Sequence, residues 1–188
     1  MKYLLRSKSA MTGVILIGIL VLVAIFADMI APHDPYRMDI WNSYRAPEGL
    51  GGTFVLGTDD MGRDVLSRIL VGSRVSLLIA VTATGVSLLF GVVLGAVAGY
   101  VGGVVDTIIM RIMDLILAFP SILLAIAIVA TMGPGVINAM FAVAIVRIPA
   151  MTRVTRSMVL GLKEEEFVMA GTALGLTNRR ILFRHILI

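Results

Sequence analysis

The fold of this 188-residue chain is decided by the stretch VSLLIAVTATGVSLLFGVVLGAVAGYVGGVV, which runs from Val75 to Val105 without a charged residue. A transmembrane helix needs about 20 apolar residues to cross a hydrocarbon core about 30 Å thick. The stretch therefore predicts a span over residues 75–99, followed by a turn at residues 99–103. Two more uncharged stretches, Met11–Ala27 and Leu115–Val146, flank it. Together they predict an all-α, polytopic membrane protein.

The flanking stretches give three further spans. The N-terminal one extends to Ile30, where Pro32 is expected to end the helix, and it is too long for the apolar region of a cleaved signal peptide. The later stretch holds 32 residues, or about 48 Å of helix at 1.5 Å per residue, which is too long for one untilted span. We expect Gly133-Pro134-Gly135 to divide it into spans near residues 107–131 and 136–158, so that four spans are visible.

Composition and charge exclude several classes of function. Mean hydropathy is +1.00 and only 15% of residues are charged, as expected of a membrane protein. The absence of Cys excludes disulfides and cysteine catalysis. The net charge of +4, without interleaved aromatic residues, argues against nucleic acid as a partner. A cytoplasmic N-terminus places eleven Lys and Arg residues inside, Lys2 and Arg6 among them, and five outside, in agreement with the positive-inside rule.

The segment after the last span has the pattern of a docking element. It reads KEEEFVMAGTALGLTNRRILFRHILI from Lys163 to Ile188. Three acidic residues, Glu164 to Glu166, suit the first turn of a helix. Gly175 is expected to stop that helix, and Thr177 to cap a second helix over residues 178–188.

Two parts of the sequence resemble the permease subunits of binding-protein-dependent ABC importers. The coupling loop of that family has E-A-A, then G, then I-L ahead of a proline, and these fall at Met169-Ala170-Gly171, Gly175 and Ile186-Leu187. The departures are Met169 for Glu, Gly171 for Ala and Ile188 for the proline. The run from Glu166 to Leu187 is similar to the C-type subunits of peptide and nickel permeases. The run LGTDDMGRDVLSR, from Leu56 to Arg68, is also similar to these C-type subunits.

The resemblance implies a partial type-1 permease fold, with residues 1–72 forming an N-terminal tail, span and external segment, and residues 73–188 a transmembrane domain that ends in the coupling loop 163–188. It implies a plasma-membrane subunit without enzymatic activity or a cofactor of its own, which carries peptides or chelated nickel. The expected partners are a second permease, two cytoplasmic ATPases that bind ATP and an external binding protein. The residues expected to couple to an ATPase are Glu166, Phe167, Ala170, Gly171, Gly175 and Arg184. Because such permeases usually carry further spans, we also expect the chain to be C-terminally truncated and its last helix to fray.

Several charged and small residues near the spans predict specific contacts. Asp106 is expected to cap the third helix, and Arg111 to pair with Asp114 three residues away. Arg147, deeper in its span, is a candidate for lining a polar cavity or for pairing with another helix or chain. Glycines at every fourth position from Gly91 to Gly99 predict close helix packing. The phosphate-loop outline at residues 57–64 lacks the required Lys and predicts a hydrogen-bonded turn instead.

Two other classes of function remain open on the residues alone. An ion- or proton-coupled secondary transporter needs buried acids and repeated spans, but Asp114 is the only acid well inside a predicted span and no repeat is evident. A membrane-anchored interaction protein needs neither glycine-rich spans nor an arginine-rich external turn. Both histidines lack a second ligand at useful spacing, so no metal site is expected.

Overall fold

A computed structural model describes residues 7–186 of the chain, so Lys2, Arg6, Leu187 and Ile188 lie outside the described residues, as do the side chains of Arg179, His185 and Ile186. The described part is mostly helical, with a π-helical turn at Leu182–Ile186, whereas residues 31–64 are mainly turns and irregular backbone around a short 3₁₀ turn at Ile40–Asn42. Its α-helices are α1 Lys8–Ile30, α2 Val65–Val101, α3 Gly103–Leu117, α4 Ser121–Met132, α5 Val136–Lys163, α6 Glu166–Ala173 and α7 Asn178–Ile181.

Three of these helices, α1, α2 and α5, are long and apolar enough to cross a membrane. The pair α3 and α4 gives a fourth crossing if it counts as one broken span. The predicted multi-pass, all-α architecture is therefore confirmed. Residues up to Leu78 form one compact unit and residues from Ile79 onward form another.

The helix ends that the sequence predicted correctly are those set by proline and glycine. α1 ends at Ile30, and Ala31 adopts an extended conformation before Pro32, as expected for a residue that precedes proline. α4 ends at Met132 and α5 begins at Val136, so Gly133-Pro134-Gly135 separates them as predicted. Both glycines have a positive φ, 90° and 156°, which residues with a Cβ rarely adopt.

Two predicted spans need correction. The third, expected as one helix near residues 107–131, is broken into α3 and α4, which meet at an angle of 90°. Pro120 explains the break, because proline has no N–H to donate and disfavours a helical conformation in the residue before it. The second span is longer than residues 75–99, and its helix continues to Val101 with only Gly102 between it and α3.

In the first unit, Arg74 fastens α2 to the end of α1. Its guanidinium donates hydrogen bonds to the carbonyls of Ala24 and Ile25 at 2.5 and 3.0 Å, and it pairs with Asp28 at 2.7 Å. A cation beside the last turn of a helix interacts favourably with the helix dipole. This one side chain therefore binds two backbone carbonyls and a carboxylate near the end of α1.

The phosphate-loop outline at residues 57–64 is a hydrogen-bonded turn, as predicted. The Asp59 carboxylate accepts hydrogen bonds from the backbone of Met61 and Arg63 and from the Arg63 side chain at 2.8 Å. Partial burial raises the pKa of Asp59, but these hydrogen bonds outweigh it and hold that pKa below its usual value. Asp64 then caps α2 by accepting from the backbone N–H of Ser67 at 3.0 Å.

In the second unit, the glycine stripe of α2 packs against α5. A Cβ added at Gly95 would meet the carbonyl oxygen of Thr152, and one at Gly99 would lie 2.9 Å from the carbonyl oxygen of Arg156. Small residues let two helices approach backbone to backbone in a membrane. The close packing that the sequence predicted therefore lies within this chain.

Candidate functional site

The C-terminal segment, residues 164–186, follows α5 and begins with helix α6. Its three predicted acidic residues do not all lie in the first turn, because Glu164 is the C-cap of α5, Glu165 is the N-cap of α6 and only Glu166 belongs to the first turn. The backbone N–H of Gly175 donates to the carbonyl of Thr172 at 3.0 Å, and that of Leu176 to the carbonyl of Gly171 at 3.1 Å. These two bonds form a Schellman motif, which ends a helix with a left-handed residue.

Gly175 is that left-handed residue, with a φ of 76°. The prediction that it stops the first helix in a glycine-requiring conformation is confirmed. Thr177 accepts a hydrogen bond from the backbone N–H of Arg180 at 3.4 Å, so it caps the second helix as predicted. The chain thus turns sharply between α6 and α7.

The two faces of α6 have different surroundings. Val168 is 4% exposed and packs with Ile181 and Leu182 against Ala96 and Val159 of the longer helices. Ile181 and Leu182, at the start of the helix that was expected to fray, are buried in this cluster.

The residues expected to couple to an ATPase divide between these faces. Glu166, Phe167 and Ala170 lie together on the exposed face of α6, and Phe167 is 47% exposed. Gly171 instead lies on the buried face, where an added Cβ would be 3.3 Å from the Leu176 side chain. Arg184 is exposed in the π-helical turn. The structure thus offers an apolar and acidic surface of three residues, while Gly171 serves packing within the chain.

Two polar contacts tie the C-terminal segment to the long helices. The Nζ of Lys163 donates to the carbonyl of Tyr100 at 2.8 Å and lies 5.5 Å from the centre of its ring. The Tyr100 hydroxyl donates to the side-chain oxygen of Asn178 at 3.1 Å. Tyr100 therefore links the last residue of α5 with the first residue of α7, beside a pocket of about 720 Å³.

Ion pairs join α3 to α5. Arg156 binds Asp106 through two hydrogen bonds of 2.5 Å, and Arg153 binds Asp114 at 2.5 Å. Asp106 therefore does not cap α3, whose N-cap is Gly102, and Asp114 pairs with Arg153 rather than with Arg111 as predicted. The pairs offset the cost of placing charges on membrane helices.

Arg147 lies on α5 at a groove between α4 and α5, which we name the α4–α5 groove. The groove has a volume of about 350 Å³ and includes Ser121 and Ile122 from the first turn of α4. The side chain of Arg147 is exposed, and within residues 7–186 it forms no ion pair with a carboxylate. The sequence offered a polar cavity as one setting for Arg147, whereas the groove beside it is lined mainly by apolar side chains.

A family model described as the inner membrane component of binding-protein-dependent transport systems matches residues 91–188, just over half of the chain. The chain belongs to this family. A second model, for the N-terminal transmembrane domain of oligopeptide transport permease C, matches residues 1–47. The family match begins at Gly91 and includes α3 to α7, so the contacts of the C-terminal segment lie within it.

Curated relatives within this transport family resemble nearly the whole chain. A dipeptide transport system permease protein of Alkalihalophilus pseudofirmus is 46% identical over 99% of this chain. A di/tripeptide transport system permease protein of Pseudomonas aeruginosa is 41% identical over 95% of it, and a glutathione transport system permease protein of Pectobacterium atrosepticum is 41% identical over 97%. The chain spans about 60% of the length of each of these relatives.

Sequence reasoning missed the residues that connect the helices of this family member. Tyr100, Lys163 and Asn178 carry no motif, because their contacts join positions more than 60 residues apart. A signal for the pair of Asp106 and Arg156 was available, since ionised groups on membrane helices seek opposite charges. Which opposite charge each of these groups pairs with depends on how α3 packs on α5.

Proposed function

We propose that this chain is a permease subunit of an ATP-driven importer of short peptides. The observation that carries this proposal is the 46% identity to a dipeptide permease over 99% of the chain. Relatives named for dipeptides, di/tripeptides and glutathione all point to small peptide-like cargo. The membrane helices would form part of the pathway, together with a second, homologous permease.

Coupling to a cytoplasmic ATPase would use the exposed face of α6. Phe167 offers an apolar anchor there, and the small side chain of Ala170 permits a close approach by another protein. ATP would bind to two partner ATPases and not to this chain. With the N-terminus in the cytoplasm, α6 faces the compartment that holds ATP, and residues 31–64 face an external binding protein.

Movement of α6 would reach the spans through the contacts of its buried face. Val168 packs with Ile181 and Leu182 against α2 and α5, while Lys163 and Asn178 both bond to Tyr100 at the end of α2. A displacement of the segment would therefore move α2 and α5 together. Rigid-body motion of this kind is a common way to switch access across a membrane.

The test is uptake by the assembled transporter in proteoliposomes, with binding protein outside and ATP in the compartment of the ATPases. We expect accumulation of a radiolabelled dipeptide that depends on ATP. A matched complex whose ATPases lack the P-loop lysine serves as the control, and a nickel-chelate arm tests the alternative cargo. Uptake driven by a proton gradient without ATP would refute the proposal and favour a secondary transporter.

A further inference from the structure

Arg147 lies well inside α5, a helix long and apolar enough to cross a membrane. It follows Val136 by eleven residues and precedes Arg156, which is paired with Asp106, by nine. At 1.5 Å per residue these separations are roughly 16 and 14 Å along the helix. A cation at such a depth is costly unless an anion or water accompanies it, and ionisable groups there commonly mark a substrate pathway.

The other arginines of these helices have carboxylates near them. Arg74, Arg153 and Arg156 each form an ion pair, and Arg111 borders a pocket that it shares with Asp106 and Asp114. Among the arginines of α2, α3 and α5, all of which lie within the described residues, Arg147 is the exception. Its groove is lined by alanine, valine and isoleucine side chains and by Ser121, with no acidic residue.

We propose that Arg147 binds the terminal carboxylate of the peptide cargo in the α4–α5 groove as it crosses the membrane. A guanidinium is planar and offers paired N–H donors that match the two oxygens of a carboxylate. The groove volume of about 350 Å³ lies in the range of small-ligand sites, and its apolar walls strengthen the charge interaction. This inference rests on the proposed function and names the cargo group that the pathway recognises.

The start of α4 adds to this environment. Pro120 breaks the span so that α4 begins at Ser121, inside the groove, and the structure gives its N-cap no side-chain hydrogen bond. The first N–H groups of a helix lack partners within it and favour negative charge. The proposal rests on Arg147 and the groove, and the start of α4 also favours an anion there.

The first test compares transport of a dipeptide with that of its C-terminal amide. Hydrogen bonds to charged groups contribute about 1.5–3 kcal/mol, so we expect wild-type complexes to favour the free acid by about tenfold or more. Arg147→Gln should reduce this preference several-fold, and Arg147→Lys should keep part of it. An unchanged preference in Arg147→Gln, with wild-type uptake intact, would overturn the inference but leave the proposed function standing. Absence of ATP-dependent uptake in the wild type would refute both.

A second test separates a cargo carboxylate from an acidic side chain on the partner permease. The chain contains no cysteine, so Arg147→Cys can be labelled in complexes whose other subunits are cysteine-free. We expect a cationic methanethiosulfonate reagent to restore uptake, an anionic one to abolish it, and dipeptide to slow both reactions. Ile145→Cys, at nearly the same depth but about 200° around α5, is the matched control and should react more slowly. Loss of complex assembly in both Arg147→Gln and Arg147→Lys, or no protection by dipeptide, would assign Arg147 to the partner instead.

Discussion

Replacing Gly95 with alanine should loosen the packing of α2 on α5. The added Cβ would meet the carbonyl oxygen of Thr152 and lie 2.8 Å from the Cβ of Thr155 and 3.0 Å from the backbone nitrogen of Arg156. Two of these three atoms belong to the backbone, so the helices must move apart. Overpacking of this kind costs about 1–3 kcal/mol.

Gly85 provides the matched control for this substitution. It lies on the same helix, and an added Cβ there would meet nothing within 4 Å. Because alanine favours a helix over glycine by about 1 kcal/mol at either site, the propensity term cancels when the two variants are compared. The difference between Gly95→Ala and Gly85→Ala should therefore be about 1–3 kcal/mol, from the clash alone.

The assay is equilibrium unfolding of the detergent-solubilised chain, with helix content followed by circular dichroism during titration with a denaturing detergent. The detergent concentration at the unfolding midpoint should be equal to or lower than that of the wild type for Gly95→Ala. For Gly85→Ala it should be equal to or higher than that of the wild type. The free energies of unfolding from the two titrations should differ by about 1–3 kcal/mol. Equal midpoints for the two variants would refute the close packing of these helices.

Three further predictions concern the polar segments. Gly175→Val should uncouple ATP hydrolysis from uptake without preventing membrane insertion, because valine resists the positive φ at this site, and normal uptake would contradict this. Cysteine at Phe167 should crosslink to the ATPase, whereas cysteine at the buried Val168 should not, and equal yields would count against the interface. The Asp59 carboxylate has a lowered pKa, so its stabilising effect is full above about pH 4 and is lost as the pH falls through the folded-state value. Limited proteolysis of residues 31–64 should therefore accelerate in acid, and less steeply in Asp59→Asn than in the wild type.

The sequence predicted the helix boundaries that glycine and proline determine locally. Ile30, Val136 and Gly175 lie where such residues interrupt the backbone, and the structure agrees at each. The bend at Pro120 was missed because the apolar stretch continues through it. Hydropathy reports how well residues suit lipid and gives no information on the direction of the chain.

The sequence predicted which residues belong to the candidate site but not which of them face inward. Which face of α6 turns inward depends on Ile181 and Leu182, which return to pack on Val168. Gly171 was therefore assigned to the outer surface, although it lies on the inner face. The partner of Asp114 likewise depends on how α3 packs on α5, which no local pattern in the sequence encodes.

The clamp between Arg74 and α1 has a consequence for biogenesis. A nascent chain grows from its N-terminus, and its early parts fold before later parts are made. When Arg74 leaves the ribosome, the carbonyls of Ala24 and Ile25 and the carboxylate of Asp28 have already been synthesised. The first helix thus supplies acceptors for the charge that precedes the long apolar part of α2 as soon as that charge is synthesised.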